Sequence, residues 1–144
     1  MNGLFCVAVH ALIYLDKRGC LLSSEELAAN ICTNPARVRK VMAKLKKAGL
    51  VTTRTGTDGG YQLVADPEKV TLDTVAEALE VRFVEPAWHS GGGVDCGCMV
   101  ASGMAGVMDH LFDDLDRRCK ARLAQLRLSD LEGQLESIQK GEPL

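Results

Sequence analysis

Apolar side chains cover nearly every face of the first predicted helix, residues 2–17. A helix of that kind must be enclosed, either in a core or between subunits. After a loop at Gly19, Ser24 is a good N-cap, and it predicts a short helix from Glu25 to Ile31. The chain therefore begins with a buried helix that is followed by a short one.

The next stretch predicts a helix followed by a glycine-rich hairpin. Asn34 can cap this helix, Pro35 suits its first position, and Gly49 after Ala48 is a natural end. Two short β-prone runs, residues 50–54 and 61–64, are joined by Thr-Gly-Thr-Asp-Gly-Gly, which is typical of a hairpin turn. The turn is not a phosphate-binding P-loop, because the lysine and hydroxyl that must follow the glycines are missing.

The remainder of the chain predicts three more helices around one loop. Residues 71–79 form an amphipathic helix, and residues 82–98, with Pro86 and three consecutive glycines, look like a flexible loop. Ser129 with Glu132 predicts a capping box for the last helix. Between them, apolar residues recur at spacings of three, four and seven, which predicts a long helix that meets another helix. These residues are Ala105, Met108, Phe112, Leu115, Cys119 and Leu126.

The size and charge of the chain narrow its class. Its 144 residues are enough for one domain. The net charge of −2 is uneven: residues 1–65 carry nine Lys/Arg and four Asp/Glu, and residues 66–144 carry eight and fifteen. A basic first half on an acidic protein is typical of a polyanion-binding module. No apolar stretch reaches the ~20 residues of a membrane helix and none resembles a signal peptide, so we expect a cytoplasmic protein that does not bind membranes.

The helix from Pro35 to Ala48 is amphipathic, and all its charges are positive. At about 100° per residue, four apolar side chains form one stripe that we expect to be buried. They are Val38, Val41, Met42 and Leu45, and opposite them lie Arg37, Lys40, Lys44 and Lys47, flanked by Arg39 and Lys46. A solvated helix face normally mixes both signs. This face therefore indicates an anionic partner, and the alternative is a lysine face that is merely solvated.

A short helix, a tight turn, a basic helix and a glycine-tipped hairpin follow one another as in a winged helix-turn-helix. In that arrangement the second helix lies in the major groove of double-stranded DNA, where its first residues reach base edges and later lysines meet phosphates. We predict base contacts from Asn34, Arg37, Arg39 and Lys40, and phosphate or minor-groove contacts from Lys44, Lys47, Arg54 and the backbone at Gly59 and Gly60.

Four short motifs together resemble the Rrf-two family of bacterial transcription regulators. They are Phe-Cys-Val-Ala-Val-His-Ala-Leu at 5–12, Thr-Asn-Pro at 33–35, Lys-Ala-Gly-Leu-Val at 47–51 and Gly-Gly-Tyr at 59–61. The family includes the iron–sulfur cluster regulator, the nitric-oxide-sensitive repressor and the cysteine-metabolism repressor. The resemblance implies a homodimer that binds a roughly palindromic operator, commonly as a repressor. Many members carry an arginine directly before the first glycine of the hairpin, which is called the wing. This chain has Thr55 at that position, and Arg54 lies one residue earlier.

The expected fold is mainly α with a small β-hairpin wing, in one compact domain. Residues 1–81 are expected to form the winged helix-turn-helix region, and residues 82–98 a flexible loop that contains cysteines. Residues 99–144 are expected to supply a long dimerisation helix and a C-terminal helix, which the resemblance implies are exchanged across the dimer.

Six cysteines are many for a cytosolic chain, and without a secretory signal they do not indicate a disulfide framework. Cluster-bearing members of the family place three cysteines in the loop and the helix start. Here Cys96 and Cys98 lie in that region, and two thiolates leave a zinc or iron–sulfur site incomplete. We therefore expect no resident cofactor. An iron–sulfur cluster stays open as an alternative, with Cys6 from the other subunit as one candidate for a further ligand.

A thiol switch is the preferred hypothesis for the input. Cys32 lies just before the basic helix, where the helix dipole and nearby Arg37 favour the thiolate, the form that oxidises first. Cys96 and Cys98 are the expected resolving thiols, so oxidation would change operator affinity. A small metabolite or a partner protein is a further alternative input. The pair of Cys96 and Cys98 would also suit a thiol oxidoreductase, which is a function of another class. Nothing else in the sequence supports catalysis, so an enzyme is not expected.

Overall fold

The computed structural model describes residues 2–93 and 95–144, and Met1 and Val94 lie outside the described residues. Within that range the chain is mainly helical with one small hairpin, which confirms the predicted fold class. The elements are α1 (Asn2–Arg18), α2 (Ser24–Ile31), α3 (Pro35–Lys47), β1 (Val51–Arg54), β2 (Gly60–Leu63), α4 (Leu72–Ala78), α5 (Met99–Leu123) and α6 (Leu128–Gln139). Among the described helices, none is both long enough and apolar enough to cross a membrane.

Helix α1 is the centre of the core. It contacts α2, α3, α4, α6 and β2. Ala8, Ala11 and Leu12 are fully buried, and Leu15 is nearly so, because the apolar residues occupy every face that meets a neighbouring element. The prediction that this helix is enclosed is confirmed for residues 7–15, apart from the exposed His10 and the half-buried Tyr14.

The start of α2 differs by one residue from the prediction. Ser23, not Ser24, is the N-cap: its hydroxyl accepts a hydrogen bond from the Glu26 N–H at 3.1 Å, and the Glu26 carboxylate accepts one from the Ser23 N–H at 2.8 Å. This reciprocal pair requires a serine three residues before the glutamate, which selects Ser23. Ser24 becomes the first helical residue, and it is buried.

Helix α3 begins as predicted. The Asn34 side chain accepts a hydrogen bond from the Arg37 N–H at 2.8 Å, and Pro35 occupies the first turn. The helix ends at Lys47, and Gly49 follows in the left-handed region at φ +78°, where glycine is favoured.

The hairpin is antiparallel, with Val51 opposite Leu63 and Arg54 opposite Gly60. Leu22, just before α2, adds a third backbone segment, because its N–H and carbonyl pair with Tyr61 at 3.0 and 2.8 Å. A Cβ on Gly60 would lie 2.5 Å from the Leu22 carbonyl oxygen. The close approach of these two backbones therefore requires glycine at position 60.

The predicted capping box of the last helix is wrong. Helix α6 begins at Leu128, and the Asp130 carboxylate accepts a hydrogen bond from the Arg127 N–H at 2.8 Å. Arg127 is also paired with Thr71 in an isolated β-bridge, which fixes where the helix can start. Tertiary pairing therefore overrides the local signal of Ser129 with Glu132.

The loop after α4 is tied to α5. The Asp116 carboxylate, 5% exposed, accepts hydrogen bonds from the N–H groups of Phe83 at 2.7 Å and Val84 at 3.1 Å. Burial raises the pKa of Asp116, but the two N–H donors and Lys120 outweigh it, so the net pKa is below the usual value. Arg82 also pairs with Asp113 at 2.6 Å. The first part of the loop is thus held against α5 by a buried carboxylate.

Candidate nucleic-acid interface

The exposed side of α3 consists of three rows of side chains. The central row lies directly opposite the buried stripe, in which all four predicted residues are fully buried. The residues of the central row are Ala36, Lys40, Ala43 and Lys47, and all are exposed. Within residues 2–93 and 95–144, neither Lys40 nor Lys47 forms a side-chain hydrogen bond or an ion pair. The two ammonium groups on the central row are therefore available to an anionic partner.

One flank of this row is partly neutralised by the protein itself. Lys44 Nζ lies 3.1 Å from the Glu80 carboxylate and 3.2 Å from the Leu79 carbonyl oxygen at the end of α4. Lys44 is half-buried. Arg37, on the same flank, is exposed and lies beside Gly3 at the start of α1. Of the predicted phosphate-binding residues, Lys44 is thus the one whose ammonium is already bound.

The other flank is held by α2 and the hairpin. Arg39 Nη1 donates to the Ser24 hydroxyl at 3.1 Å and lies 3.5 Å from the Glu25 carboxylate. Lys46 Nζ donates to the Thr53 hydroxyl of β1 at 2.8 Å, which joins α3 to the hairpin. The pKa of Glu25 is lowered by backbone and Ser24 hydrogen bonds and by the positive charge of Arg39. Arg39 is therefore exposed but oriented.

The predicted wing residues surround the hairpin turn. Arg54 is exposed at the end of β1, directly opposite Gly60. A Cβ on Gly59 would lie 2.1 Å from the Arg54 carbonyl oxygen, so the turn closes only with glycine there. The Gly59 N–H donates to the Gly56 carbonyl oxygen at 3.1 Å. The wing thus carries one exposed arginine on a tight turn.

The sequence did not indicate which residues support this surface. Ser24, Glu25, Thr53 and Glu80 each bind a cation of α3, and all four lie outside that helix. The only hint in the sequence of such supporting contacts was that Ser24 and Glu25 lie at the start of α2. Asn34, predicted to touch bases, uses its side-chain oxygen on the helix cap.

The cysteines chosen as redox candidates differ in their surroundings. Cys32 is exposed, sits at the end of α2 with φ +60°, and places Sγ 3.8 Å from the Ala29 carbonyl oxygen. Cys98 is exposed at the N-cap of α5. Hydrogen bonds from the N–H groups of Ala101 and Val100 lower the pKa of the Cys98 thiol. Cys96 is exposed next to Gly92.

The donor set does not fit an iron–sulfur cluster within one chain. A two-iron cluster needs four ligands, and Cys96 and Cys98 supply two. In the part of the chain that the structure describes, no three His, Cys, Asp or Glu side chains come together as a metal site would require. The first turns of α5 after Cys98 present Ser102 and Met104, which are poor ligands for such a cluster.

Comparison with known proteins identifies a family. The Rrf2 family, described as "Iron-dependent Transcriptional regulator", matches residues 2–134. The chain is 31% identical over 137 residues to YwnA of Bacillus subtilis, described as an HTH-type transcriptional regulator, across 94% of this chain and 98% of YwnA. It is also 31% identical over 126 residues to the HTH-type transcriptional regulator IscR of Cereibacter sphaeroides, across 87% and 79% of the two chains.

A solved structure agrees with this relationship. The structure of a transcriptional regulator from Lactobacillus plantarum superposes with a TM-score of 0.84 at 29% identity, across 94% of this chain and 91% of the other. The relatives in these comparisons are transcriptional regulators rather than enzymes. With its exposed basic helix and its hairpin wing, the chain is a DNA-binding transcriptional regulator that belongs to the Rrf2 (Rrf-two) family.

Proposed function

We propose that the protein acts as a homodimeric repressor that lays α3 of each subunit in the major groove of a roughly palindromic operator. The central row of α3 is the observation that carries this proposal. Lys40 and Lys47 are exposed and unpaired within the described chain, and they alternate with Ala36 and Ala43 along the row. Small side chains allow the helix backbone to approach base edges closely, and an alanine methyl can contact a thymine methyl.

The predicted contacts divide by position on this surface. Arg37, Arg39 and Lys40 lie in the first half of α3, which supports contacts to bases. Lys47, Arg54 and the backbone at Gly59 and Gly60 support contacts to phosphate or the minor groove. The Asn34 amide nitrogen adds a base contact, and Lys44 adds positive potential from its bound position.

Two unpartnered apolar surfaces support the dimer. Val100, Val107 and Leu111 of α5 are 44–65% exposed, on a helix of 25 residues. A groove of about 590 Å³ lies between α1 and α6 and is lined by apolar side chains that include Phe5, Val9, Ile13, Leu131, Leu135 and Ile138. Exposed apolar surface of this extent marks an interaction site. The proposed occupant is a second copy of the chain, paired through α5.

Salt-dependent duplex binding tests the proposal. Binding of wild type and of Lys47→Ala to DNA is measured across salt concentrations. If Lys47 meets one phosphate, the dimer loses two contacts and the log–log salt slope falls by about 2. Lys140→Ala, at an exposed position at the end of α6, is the matched control and leaves the slope unchanged. An unaltered slope in Lys47→Ala would refute the placement of α3.

The proposed input is oxidation of thiols among Cys32, Cys96 and Cys98. The sequence favoured Cys32 as the thiol that oxidises first, and we propose Cys98 in that place. Its lowered pKa and its exposure at the N-terminus of α5 support this order. The Cys98 thiolate attacks one oxygen of a peroxide, the O–O bond breaks, and the other oxygen leaves as hydroxide. The thiol of Cys96 or Cys32 then attacks the sulfenic acid, which forms a disulfide and releases water.

Variants separate this input from the alternatives. Peroxide treatment is expected to remove two free thiols per wild-type subunit and to change operator affinity, whereas Cys98→Ser abolishes both effects. Cys20→Ser, an exposed thiol outside the proposed set, behaves like wild type. A Cys98→Ser protein that still responds would contradict the assignment. An anaerobically purified sample whose visible absorbance comes from iron and sulfide would favour a cluster as the input.

A further inference from the structure

We infer that Arg39 reads a guanine in each operator half-site, and that Ser24 and Glu25 of α2 are the positioning residues that hold it for that task. This inference rests on the proposed function. It goes further, because it names the base that is read and a pair of residues outside the DNA-reading helix that determine specificity.

The geometry singles out one end of the Arg39 guanidinium. Nη1 donates to the Ser24 hydroxyl at 3.1 Å, and the Ser24 hydroxyl in turn donates to Glu25 Oε2 at 3.0 Å. Glu25 Oε1 lies 3.5 Å from the same Nη1. Ser24 is 8% exposed and lies within the Ser23–Glu26 capping box, so the hydroxyl that binds Arg39 is fixed by packing and capping. The Arg39 side chain is 54% exposed, so the anchored group still faces solvent.

The remaining donors suit a guanine. A guanidinium carries five N–H groups in a planar fork, and in the described chain the Arg39 hydrogen bonds use only Nη1. Nε and Nη2 are left to donate together to O6 and N7 of guanine in the major groove, which is the commonest specific contact of arginine with DNA. Lys47 on the central row is a compact point charge without such a fork, and it suits a phosphate.

The carboxylate of Glu25 lowers the affinity for DNA, so its positioning role must offset that loss. A carboxylate beside the groove repels phosphates, so Glu25 lowers affinity for every duplex regardless of sequence. A free arginine would turn toward the nearest phosphate, where it adds affinity without discrimination. Holding Arg39 by Ser24 and Glu25 therefore exchanges general affinity for specificity. Arg37, on the other flank, has no such carboxylate within the described residues.

Base analogues test the contact directly. A preferred duplex is selected from random sequences with wild-type protein, and each guanine is then replaced singly by 7-deazaguanine, which lacks the N7 acceptor. We expect one position per half-site to weaken binding about tenfold, as is typical of a lost bidentate base contact. That penalty disappears in Arg39→Ala. The penalty is reduced in Arg39→Lys, which keeps the charge and the salt slope but lacks the planar fork.

The Glu25 variant has a distinct signature. In Glu25→Gln the 7-deazaguanine penalty is expected to fall to about threefold or less, while affinity for random duplex stays equal or rises. Glu80→Gln is the matched control, because it removes a carboxylate from the cation on the opposite flank of α3 and should leave the penalty unchanged. Thermal melts check that each variant is folded.

Two results would overturn the inference. The first is a 7-deazaguanine penalty that persists in Arg39→Ala. The second is a Glu25→Gln protein that loses affinity for all duplexes equally and keeps the full penalty, which would make Glu25 merely structural. A wild-type protein without salt-dependent duplex binding would instead refute the proposed function, so the two failures are distinguishable.

Discussion

Lys44 of α3 and Glu80 after α4 form an ion pair of 3.1 Å, with the Leu79 carbonyl oxygen as a second acceptor at 3.2 Å. Glu80 adopts a left-handed backbone conformation, with φ +56°. Residues other than glycine reach this conformation at a cost of about 1 kcal/mol. Glu80 therefore binds Lys44 of α3 while its own backbone is in a strained conformation.

Substitution of Glu80 separates the strain from the ion pair. Glu80→Gly and Glu80→Ala both lose the carboxylate, but glycine adopts the left-handed position freely. We expect Glu80→Gly to be more stable than Glu80→Ala by about 1 kcal/mol in urea denaturation. Equal stability of the two variants would show that the left-handed conformation costs nothing here.

Gly60 is a position in the wing where the backbone of another segment leaves no room for a side chain. In Gly60→Ala the new Cβ would lie 2.5 Å from the Leu22 carbonyl oxygen, so the backbone pairing of Leu22 with Tyr61 must open. We expect a loss of about 1–3 kcal/mol in the free energy of unfolding. Gly97→Ala, where a Cβ meets no atom within 4 Å, should change stability by less than about 0.5 kcal/mol. Similar losses in both variants would contradict the close approach.

Two glutamates of α6 are expected to respond to pH with opposite signs. Burial and the adjacent Asp16 carboxylate raise the pKa of Glu132, whose Oε1 is buried and has no hydrogen-bond partner among the described residues. The Lys17 ammonium, 2.8 Å away, lowers the pKa of Glu136. Glu132 therefore lowers the free energy of unfolding as pH rises from about 4.3, its pKa in the unfolded chain, through its raised pKa in the folded chain. Glu136 contributes stability above about 4.3 that is lost as pH falls through its lowered value.

The variants of this pair are expected to diverge at neutral pH. Glu132→Gln should raise the melting temperature at pH 7, because an amide carries no charge and can donate a hydrogen bond to Asp16. Glu136→Gln should lower it slightly, because it removes an exposed ion pair. Melting curves between pH 4 and pH 8 measure both effects. A fall in melting temperature for Glu132→Gln at pH 7 would contradict the explanation.

The proposed dimer predicts a change of oligomeric state. Val107→Asp with Leu111→Asp places two charges on the exposed apolar row of α5. An unpaired charge at the centre of an interface is strongly unfavourable, so we expect monomers by light scattering. Gln125→Asp, exposed in the turn after α5, should leave the dimer intact. A double variant that remains dimeric would place the interface elsewhere.

Local patterns were sufficient for the elements that position the DNA-binding surface. The stripe from Val38 to Leu45 is buried because its spacing puts it on one side of a helix, whatever packs against it. The Asn34 cap is likewise a contact between residues three apart. At the start of α2 the local signal was also present, since Glu26 points back three residues to Ser23 rather than to Ser24.

Long-range contacts account for what the sequence could not indicate. Six positive charges on α3 were visible, but Lys44 meets Glu80 and Arg39 meets Glu25 only after the chain folds. The start of α6 is likewise determined by the pairing of Arg127 with Thr71, 56 residues earlier (127 minus 71). Such partners are selected by tertiary packing, which no short window of sequence contains.

The Asp116 carboxylate has a mechanical consequence for regulation. It accepts hydrogen bonds from the backbone N–H groups of Phe83 and Val84, a few residues after Glu80, the residue after α4 with which Lys44 forms its ion pair. Residues 79–84 therefore connect α5 to α3, through Asp116 at one end and Lys44 at the other. In a dimer paired through α5, the separation of the two reading helices would follow the tilt of the long helices. A change of structure near Cys98 would then alter the spacing of the two α3 helices relative to successive turns of the duplex, which are about 34 Å apart, without contacting either α3 helix.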